Sequence, residues 1–230
     1  MNSLSAATLL NVWEQGRDQD PIRRAIGLLT AACPELSAAG AAELPVGDRD
    51  LRLLTLRESV FGPELNGLAD CPNCGEHVEM SFRVEQIRLD APIEAEFRLP
   101  AAGCELHARV PNSADLVAAT SRRDLLLRCI LSPPASGEQW SDEVLNLLES
   151  RMAQADPQAN IQLALGCPAC GNSWLALFDI VGYFWREIDT WARRVLRDVH
   201  TLASAYGWSE AEILALSPWR RQFYLDAVTQ

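Results

Sequence analysis

The chain has 230 residues, of which 20 are basic and 31 acidic, so that its formal net charge is −11. This charge argues against a nucleic-acid-binding protein, because binding to phosphates depends on clustered positive charge. A hydrophobic content of 48% with a charged content of 22% is typical of a soluble globular protein and excludes wholesale disorder.

The N-terminal region, residues 1–62, is predicted to be helical. Apolar residues recur at helical spacing in LSAATLLNVWEQG, DPIRRAIGLLTAAC and RDLRLLTLRESVFG. Pro21 suits the first turn of the second helix, and Asp48 is predicted to cap the third. The segment AAGAAELPVG, which lies before the third helix, is predicted to be a loop.

A first cysteine pair follows in DCPNCGEHV, with short predicted strands around it. Val78, Met80 and Phe82 alternate with polar residues, which is typical of a half-buried strand. Cys71 and Cys74 supply two thiols from one tight bend, which is half of the tetrahedral ligand set that zinc prefers.

Residues 88–157 are predicted to form an inserted α/β subdomain. A hairpin is predicted in IEAEFRLPAAGCELHARV, where Phe97 and Leu99 lie on one strand and Leu106 and Ala108 on the other. Helices are predicted in NSADLVAATSRRDLLLRCIL and DEVLNLLESRMAQAD, on either side of the turn-rich segment SPPASGEQWS.

Cys167 and Cys170, in GCPACGNSW, repeat the C-P-x-C-G arrangement of the first pair. Two such bends supply four thiolates, and a glycine after each second cysteine permits a positive φ. We therefore predict a structural Zn²⁺ site in a zinc ribbon formed by residues 63–87 and 158–179. The 92 residues between Cys74 and Cys167 split this ribbon and carry the inserted subdomain. Because all four positions are taken by cysteine, a catalytic metal is not expected.

A dithiol redox function is the alternative interpretation of the cysteine pairs. Redox C-x-x-C pairs normally open a helix, which lowers the pKa of the thiol. Each pair here leads into a predicted strand instead, which favours the metal. Metal analysis separates the two interpretations.

The C-terminal region, residues 180–230, is predicted to be helical. A long helix from about Ile180 to Tyr206 has an apolar stripe at spacings of three and four residues, and Gly207 is placed to end it. Ser209 and Glu212 form a possible capping box, and Pro218 is predicted to open a last helix.

Arginines and aromatic residues in this region are candidates for partner binding, because their types are enriched in interface hot spots. The alternative for the arginines is local pairing with Glu187, Asp189, Asp198 and Asp226. The candidates are Arg193, Arg194, Arg197, Trp208, Trp219, Arg220, Arg221 and Tyr224.

The predicted fold class is α+β and mostly helical, with a split four-cysteine zinc ribbon that carries a long inserted β-hairpin and helical subdomain. A C-terminal helical region completes it. The first residues lack the charged start of a signal peptide, and an odd number of cysteines fits a secreted disulfide framework badly. We therefore expect a cytoplasmic protein without a membrane span.

Two stretches together resemble the T-even-phage-type baseplate hub assembly proteins, whose bacterial relatives occur in prophage tails and in contractile injection systems. They are LRLLTLRESVFGPELNGLADCPNCG and LASAYGWSEAEILALSPWRRQFYLDAV, and the likeness covers roughly residues 48–82 and 159–230. The resemblance implies assembly of the baseplate hub, or a place in the baseplate, with baseplate or hub proteins as partners. It supplies no catalytic residues.

The expected function is therefore that of a non-enzymatic interaction protein. No nucleophile elbow, Walker loop, dinucleotide fingerprint or H-E-x-x-H motif is present. The alternative is a zinc ribbon that binds nucleic acid or regulates expression, which the negative charge opposes.

Overall fold

The structure, a computed structural model, describes residues 4–89, 91–101, 104–132 and 140–228. The chain divides into two compact units. The first unit joins Met1–Pro34 to Val181–Gln230, and the second is Glu35–Ile180. The mostly helical α+β class predicted from the sequence is confirmed. The division into four segments stays a prediction.

The described residues of the first unit form five helices. Ser5 and Asp20 cap the first two, since their side chains accept hydrogen bonds from the N–H groups of Thr8 (3.1 Å) and Arg23 (3.0 Å). The Trp13 indole donates to Asp189 at 2.9 Å and so links the first helix to the long one. The helices are α1 (Ala6–Gly16), α2 (Pro21–Ala32), α9 (Ile180–Tyr206), α10 (Glu210–Ala215) and α11 (Pro218–Val228).

The ends of the C-terminal helices follow the predicted signals. The helix α9 ends before Gly207, whose φ of 68° lies in the left-handed region. The predicted capping box is present, with the Glu212 N–H donating to the Ser209 hydroxyl at 3.3 Å and the Ser209 N–H donating to the Glu212 carboxylate at 2.8 Å. Pro218 opens α11 as predicted.

The second unit contains the hairpins and the remaining helices. Its elements are α3 (Ala38–Glu43), α4 (Val46–Phe61), β1 (Glu64–Asp70), β2 (His77–Arg83), α5 (Val84–Ile87), β3 (Glu96–Ala101), β4 (Cys104–Arg109), α6 (Ser113–Ala118), α7 (Arg122–Arg128), α8 (Asp142–Ala155), a 3₁₀ helix (Pro157–Asn160), β5 (Gln162–Gly166) and β6 (Ser173–Leu177). No described helix has both the length and the apolar composition needed to cross a bilayer.

Two local predictions for this unit were wrong. The segment predicted as a loop contains α3, because its alanines favour a helix and the Ser37 hydroxyl caps it by accepting from Gly40 N–H at 3.0 Å. Asp48 does not cap α4, which already begins at Val46, and lies instead in its first turn. Most of the turn-rich segment, residues 133–139, lies outside the described residues.

Asp156 holds the N-terminus of α4 from a position distant in sequence. The first turn of α4 has no side-chain cap from its own neighbours. The Gly47 N–H donates instead to the Asp156 carboxylate at 2.8 Å, and a Cβ at this glycine would lie 1.8 Å from the other carboxylate oxygen. Only glycine therefore allows this close approach of backbone and carboxylate.

The six strands in the described ranges form three separate antiparallel hairpins, β1–β2, β3–β4 and β5–β6. In the predicted β3–β4 hairpin, Phe97 lies opposite Ala108 and Leu99 opposite Leu106. These side chains are buried against helices α7 and α8. The core of this inserted region consists of Phe97, Leu99, Leu106, Ala108, Val110, Leu126, Cys129, Trp140, Val144, Leu145, Leu148, Met152 and Ala155.

Candidate metal centre

The two cysteine pairs lie at the tips of the hairpins β1–β2 and β5–β6, and both tips have the same backbone structure. In the first, the Gly75 N–H donates to the Cys71 carbonyl at 2.9 Å, and the Cys71 N–H donates to the Glu76 carbonyl at 2.9 Å. In the second, Gly171 and Cys167 make the equivalent two bonds at 2.9 and 2.8 Å. The sequence repeat is thus a structural repeat.

The glycine after each second cysteine has the conformation predicted for it. Gly75 has a φ of 76° and Gly171 a φ of 73°. This left-handed conformation is unfavourable for residues that carry a Cβ atom, whereas glycine adopts it at no steric cost. It turns the chain out of the tight bend and into the second strand of each hairpin.

The four sulfur atoms lie close together although the pairs are far apart in sequence. The Sγ atoms of Cys71 and Cys170 are 3.7 Å apart, and those of Cys74 and Cys167 are 3.6 Å apart. All four ligand atoms lie within 4.8 Å of one another. Four sulfurs around one ion at about 2.3 Å would be about 3.8 Å apart in a tetrahedron. The arrangement therefore fits a single metal ion.

The sulfurs differ in burial, and the pKa values of the two exposed thiols shift in opposite directions. Cys71 and Cys167 are buried with Val78, and Trp174 packs against them, whereas Cys74 and Cys170 are exposed. The Asn73 side-chain amide, 3.5 Å from the Cys170 sulfur, and a hydrogen bond from the backbone of Asn172 lower the pKa of the Cys170 thiol to about 6. The Glu76 backbone N–H lowers the pKa of Cys74, but the neighbouring Cys170 and Cys167 sulfurs and burial raise it to about 12.

Asn73 was not singled out by the sequence reasoning. It lies between the two cysteines of the first pair but donates to a cysteine of the second. This contact across the site depends on the meeting of the two hairpins, so sequence spacing contains no signal for it. The one signal in the sequence was the presence of a polar residue, able to donate a hydrogen bond, between the two cysteines.

Residues 4–185 match the family described as T4 bacteriophage base plate protein. The chain belongs to this family. The match confirms the predicted resemblance to baseplate proteins, whereas the role of a hub assembly chaperone stays a prediction. No curated protein and no solved structure matches the chain.

The range of the family match overlaps only in part with the range of the predicted resemblance. It includes both cysteine pairs and the inserted region, where no likeness had been recognised. It ends within α9, so the stretch from Tyr206 to the end of the chain lies outside it.

The candidate arginines lie in different environments. Arg193, Arg194 and Arg197 are exposed on α9, and Arg193 donates to Asp189 at 2.9 Å, four residues earlier. Arg220 is exposed on α11. Arg221, only 7% exposed, lies 3.7 Å from the Asp198 carboxylate, so that its side chain is packed within the first unit.

The candidate aromatic residues divide into two groups. Trp208 and Tyr224 pack on each other and on Tyr206, with ring centroids 4.9 Å apart in the first pair and 4.7 Å apart between Tyr206 and Trp208. Trp219 is 75% exposed and stacks on Phe223, which is 58% exposed. The sequence reasoning missed Phe223, although its spacing of four residues from Trp219 on a helix indicates a shared face.

Proposed function

We propose that the chain is a non-enzymatic, zinc-stabilised interaction protein of a contractile tail, belonging to a phage or to a phage-tail-like injection system. It helps to assemble the baseplate or stays in it as a component, and its partners are other baseplate or hub proteins. The membership of the family of baseplate proteins carries this proposal. We place the protein in the cytoplasm until it joins the particle.

Zinc is the proposed ion because four cysteine sulfurs at tetrahedral spacing form a soft ligand set that suits it. Four thiolates leave no position for water or substrate, which supports a structural metal and a non-enzymatic protein. The ion joins two cysteine pairs that are separated by 92 residues. Closing such a loop costs about 4 kcal/mol of chain entropy, which a zinc-binding free energy of order 10 kcal/mol exceeds.

Metal analysis of the purified protein tests the zinc site. We expect about one zinc ion per chain, and replacement of zinc by Co²⁺ should produce the absorption spectrum of a tetrahedral tetrathiolate site. Cys170→Ser should remove most of the bound metal. The matched control is Cys33→Ala, which changes a buried cysteine of the first unit and should leave the metal content unchanged.

The opposite result would support the redox alternative. A protein purified without metal, in which Cys71 and Cys74 oxidise and reduce reversibly, would contradict the proposed zinc site.

The surface formed by Trp219, Arg220 and Phe223 on α11 is the proposed partner-binding surface. Two stacked, exposed aromatic rings beside an exposed arginine have the composition of an interface hot spot. Arg193, Arg194, Arg197, Trp208 and Tyr224 stay candidates. Arg221, being buried beside Asp198, is proposed to hold α11 in place and contribute to binding only indirectly.

Pull-down from the native host, followed by imaging of assembled tails, tests this surface. Replacing Trp219 and Phe223 by alanine should reduce co-purification with baseplate proteins by at least about tenfold, because truncating a hot-spot residue costs 2 kcal/mol or more. Gln222→Ala, on another exposed position of the same helix, is the matched control and should have no effect.

These point variants are sharper than a truncation after Tyr206, which would also remove the aromatic packing of Trp208 and Tyr224. Undiminished co-purification of the double variant would exclude this surface. A salt-dependent shift with DNA or RNA at physiological ionic strength would instead favour the nucleic-acid alternative.

A further inference from the structure

A groove lies between strand β2 of one cysteine hairpin and strand β5 of the other. Its volume is about 730 Å³. Residues Val78 to Phe82 line one side and Gln162 to Gly166 the other, and residues in or next to α5, α8 and the 3₁₀ helix complete the lining. No described residue of β1 or β6 lines the groove. Each hairpin therefore borders the groove with the edge that is not paired to its own partner strand.

The hydrogen-bond register shows which backbone groups of β2 face this groove. The Cys71 N–H bonds to the Glu76 carbonyl and the Val84 N–H to the Pro63 carbonyl, at the two ends of the β1–β2 ladder. Bonded pairs recur at every second position of an antiparallel ladder. With the observed register, the N–H and C=O groups of Glu79 and Ser81 point away from β1.

The same reasoning applies to β5. The Cys167 N–H bonds to the Asn172 carbonyl and the Phe178 N–H to the Ile161 carbonyl. The backbone groups of Gln162, Ala164 and Gly166 therefore point away from β6. In the described part of the chain, β2 and β5 belong to different sheets and share no ladder. Two open strand edges thus face one groove.

The size and lining of the groove suit an extended peptide. A strand occupies about 160 Å³ per residue, which is the product of the strand spacing, the sheet spacing and the rise per residue. The groove thus has room for about four or five residues. Met80, Phe82, Leu163 and Leu165 line it and are only half-buried, so they offer apolar contacts to alternate side chains.

Charge indicates what kind of segment fits. Glu79 is the one charged residue among the described residues that line the groove, and it is exposed. The stretch of sequence that contains both strands, residues 71–170, has eight basic and fourteen acidic residues and thus a net charge of −6. A basic segment is attracted to such a surface, and an acidic one is repelled.

We propose that this groove binds an extended segment of a partner protein by strand addition. The segment is apolar at alternate positions, carries a basic residue opposite Glu79, and joins β2 and β5 into one continuous sheet. This surface lies in the second unit and is independent of the proposed surface on α11.

A synthetic seven-residue peptide in which valine alternates with arginine and threonine is the probe. It should bind the full-length protein, and hydrogen exchange at the amides of Glu79, Ser81, Gln162 and Ala164 should slow on binding. A peptide with glutamate in place of arginine should bind more weakly. Glu79→Arg should reverse this preference, and because the residue is exposed the fold should be retained.

A pair of proline variants distinguishes strand addition from other modes of binding. Ala164 and Leu175 are cross-strand partners, and proline at either position leaves the β5–β6 ladder bonds in place. Ala164→Pro removes a donor from the groove edge and should weaken peptide binding by about tenfold. Leu175→Pro alters the opposite edge of the hairpin and should have no effect. Both variants should retain the metal content of the parent protein.

Three outcomes would overturn the proposal. They are binding without slowed exchange at these amides, equal loss of binding in the two proline variants, and absence of binding to both peptides. A concentration-dependent dimer with the same amides slowed would replace the partner protein by a second copy of this chain.

Discussion

The inserted region and the cysteine hairpins, both in the second unit, are stabilised in different ways. Among the described residues, the core of the inserted region contains thirteen buried side chains and the buried cluster at the hairpin tips contains three. Two of these three are the metal-ligand candidates Cys71 and Cys167. Burial of an apolar side chain contributes about 1.5–3 kcal/mol. The inserted region can therefore rely on its core, whereas we expect the tips of the hairpins to depend on the proposed metal.

The largest expected effect is the loss of structure in the cysteine hairpins alone when the metal is removed. Removal of the metal by a chelator, or Cys170→Ser, should remove a binding free energy of order 10 kcal/mol. Hydrogen exchange should then become faster in β1, β2, β5 and β6. It should stay slow in β3, β4 and α8, whose side chains form the core of the inserted region. Equal acceleration in both regions would show that the inserted region also depends on the metal.

The second prediction concerns a substitution that destabilises the inserted region and leaves the metal site intact. Leu145 is completely buried in the core of the inserted region, so Leu145→Ala should lower the free energy of unfolding by about 2–5 kcal/mol, as measured by denaturant titration. The metal content should stay unchanged. Leu147→Ala, two residues away on the same helix but exposed, is the control and should change stability by less than about 0.5 kcal/mol.

In both regions, part of the structure could be predicted from the sequence. The clustering of the four cysteines could be predicted because two C-P-x-C-G bends specify thiol spacing and turn geometry within nine residues each. The β3–β4 hairpin could be predicted because Phe97 and Leu99 alternate with polar residues. Both signals are local.

The features that escaped prediction depend on contacts between distant residues. Asp156 replaces a local cap at the start of α4 from more than a hundred positions away, and Asn73 donates to a cysteine of the other hairpin. The grouping of the first 34 residues with the C-terminal helices was also missed. A periodic pattern shows which face of a helix is buried but does not identify the element that covers it.

The third prediction concerns electrostatics at the margin of the inserted region. Asp115 is buried, which raises the pKa of its carboxyl, but hydrogen bonds from the Arg109 guanidinium and the Asn112 N–H together lower this pKa below its ordinary value. The ionised Asp115 carboxylate therefore contributes fully to the free energy of unfolding above the unfolded-state pKa of about 3.9. This contribution is lost as the pH falls through the lower, folded-state pKa.

Asp115→Asn should therefore cost about 1.5–3 kcal/mol at neutral pH and reduce the loss of stability on acidification. Thermal unfolding between pH 2 and 7, a range of about five units that spans the ordinary carboxyl pKa, measures both effects. Asp142→Asn is the control, because this carboxylate is paired with Arg123 at 2.6 Å but is 85% exposed, and such pairs contribute about 0–1 kcal/mol. A similar acid sensitivity in both variants would contradict the assignment to Asp115.

The smallest expected effect is a loss of metal affinity on substitution of the glycine at either hairpin tip, which allows the two tips to be compared. Gly75 and Gly171 have nearly the same positive φ, and a Cβ at either would meet no atom within 4 Å. Gly75→Ala and Gly171→Ala should therefore each cost only the strain of the left-handed conformation, about 1 kcal/mol, and weaken metal binding by about fivefold in competition with a chelator. Gly166→Ala, which also has open space but no positive φ, should leave affinity unchanged. Because the ion would need both tips, unequal losses for Gly75 and Gly171 would mean that the two bends do not contribute equally to the site.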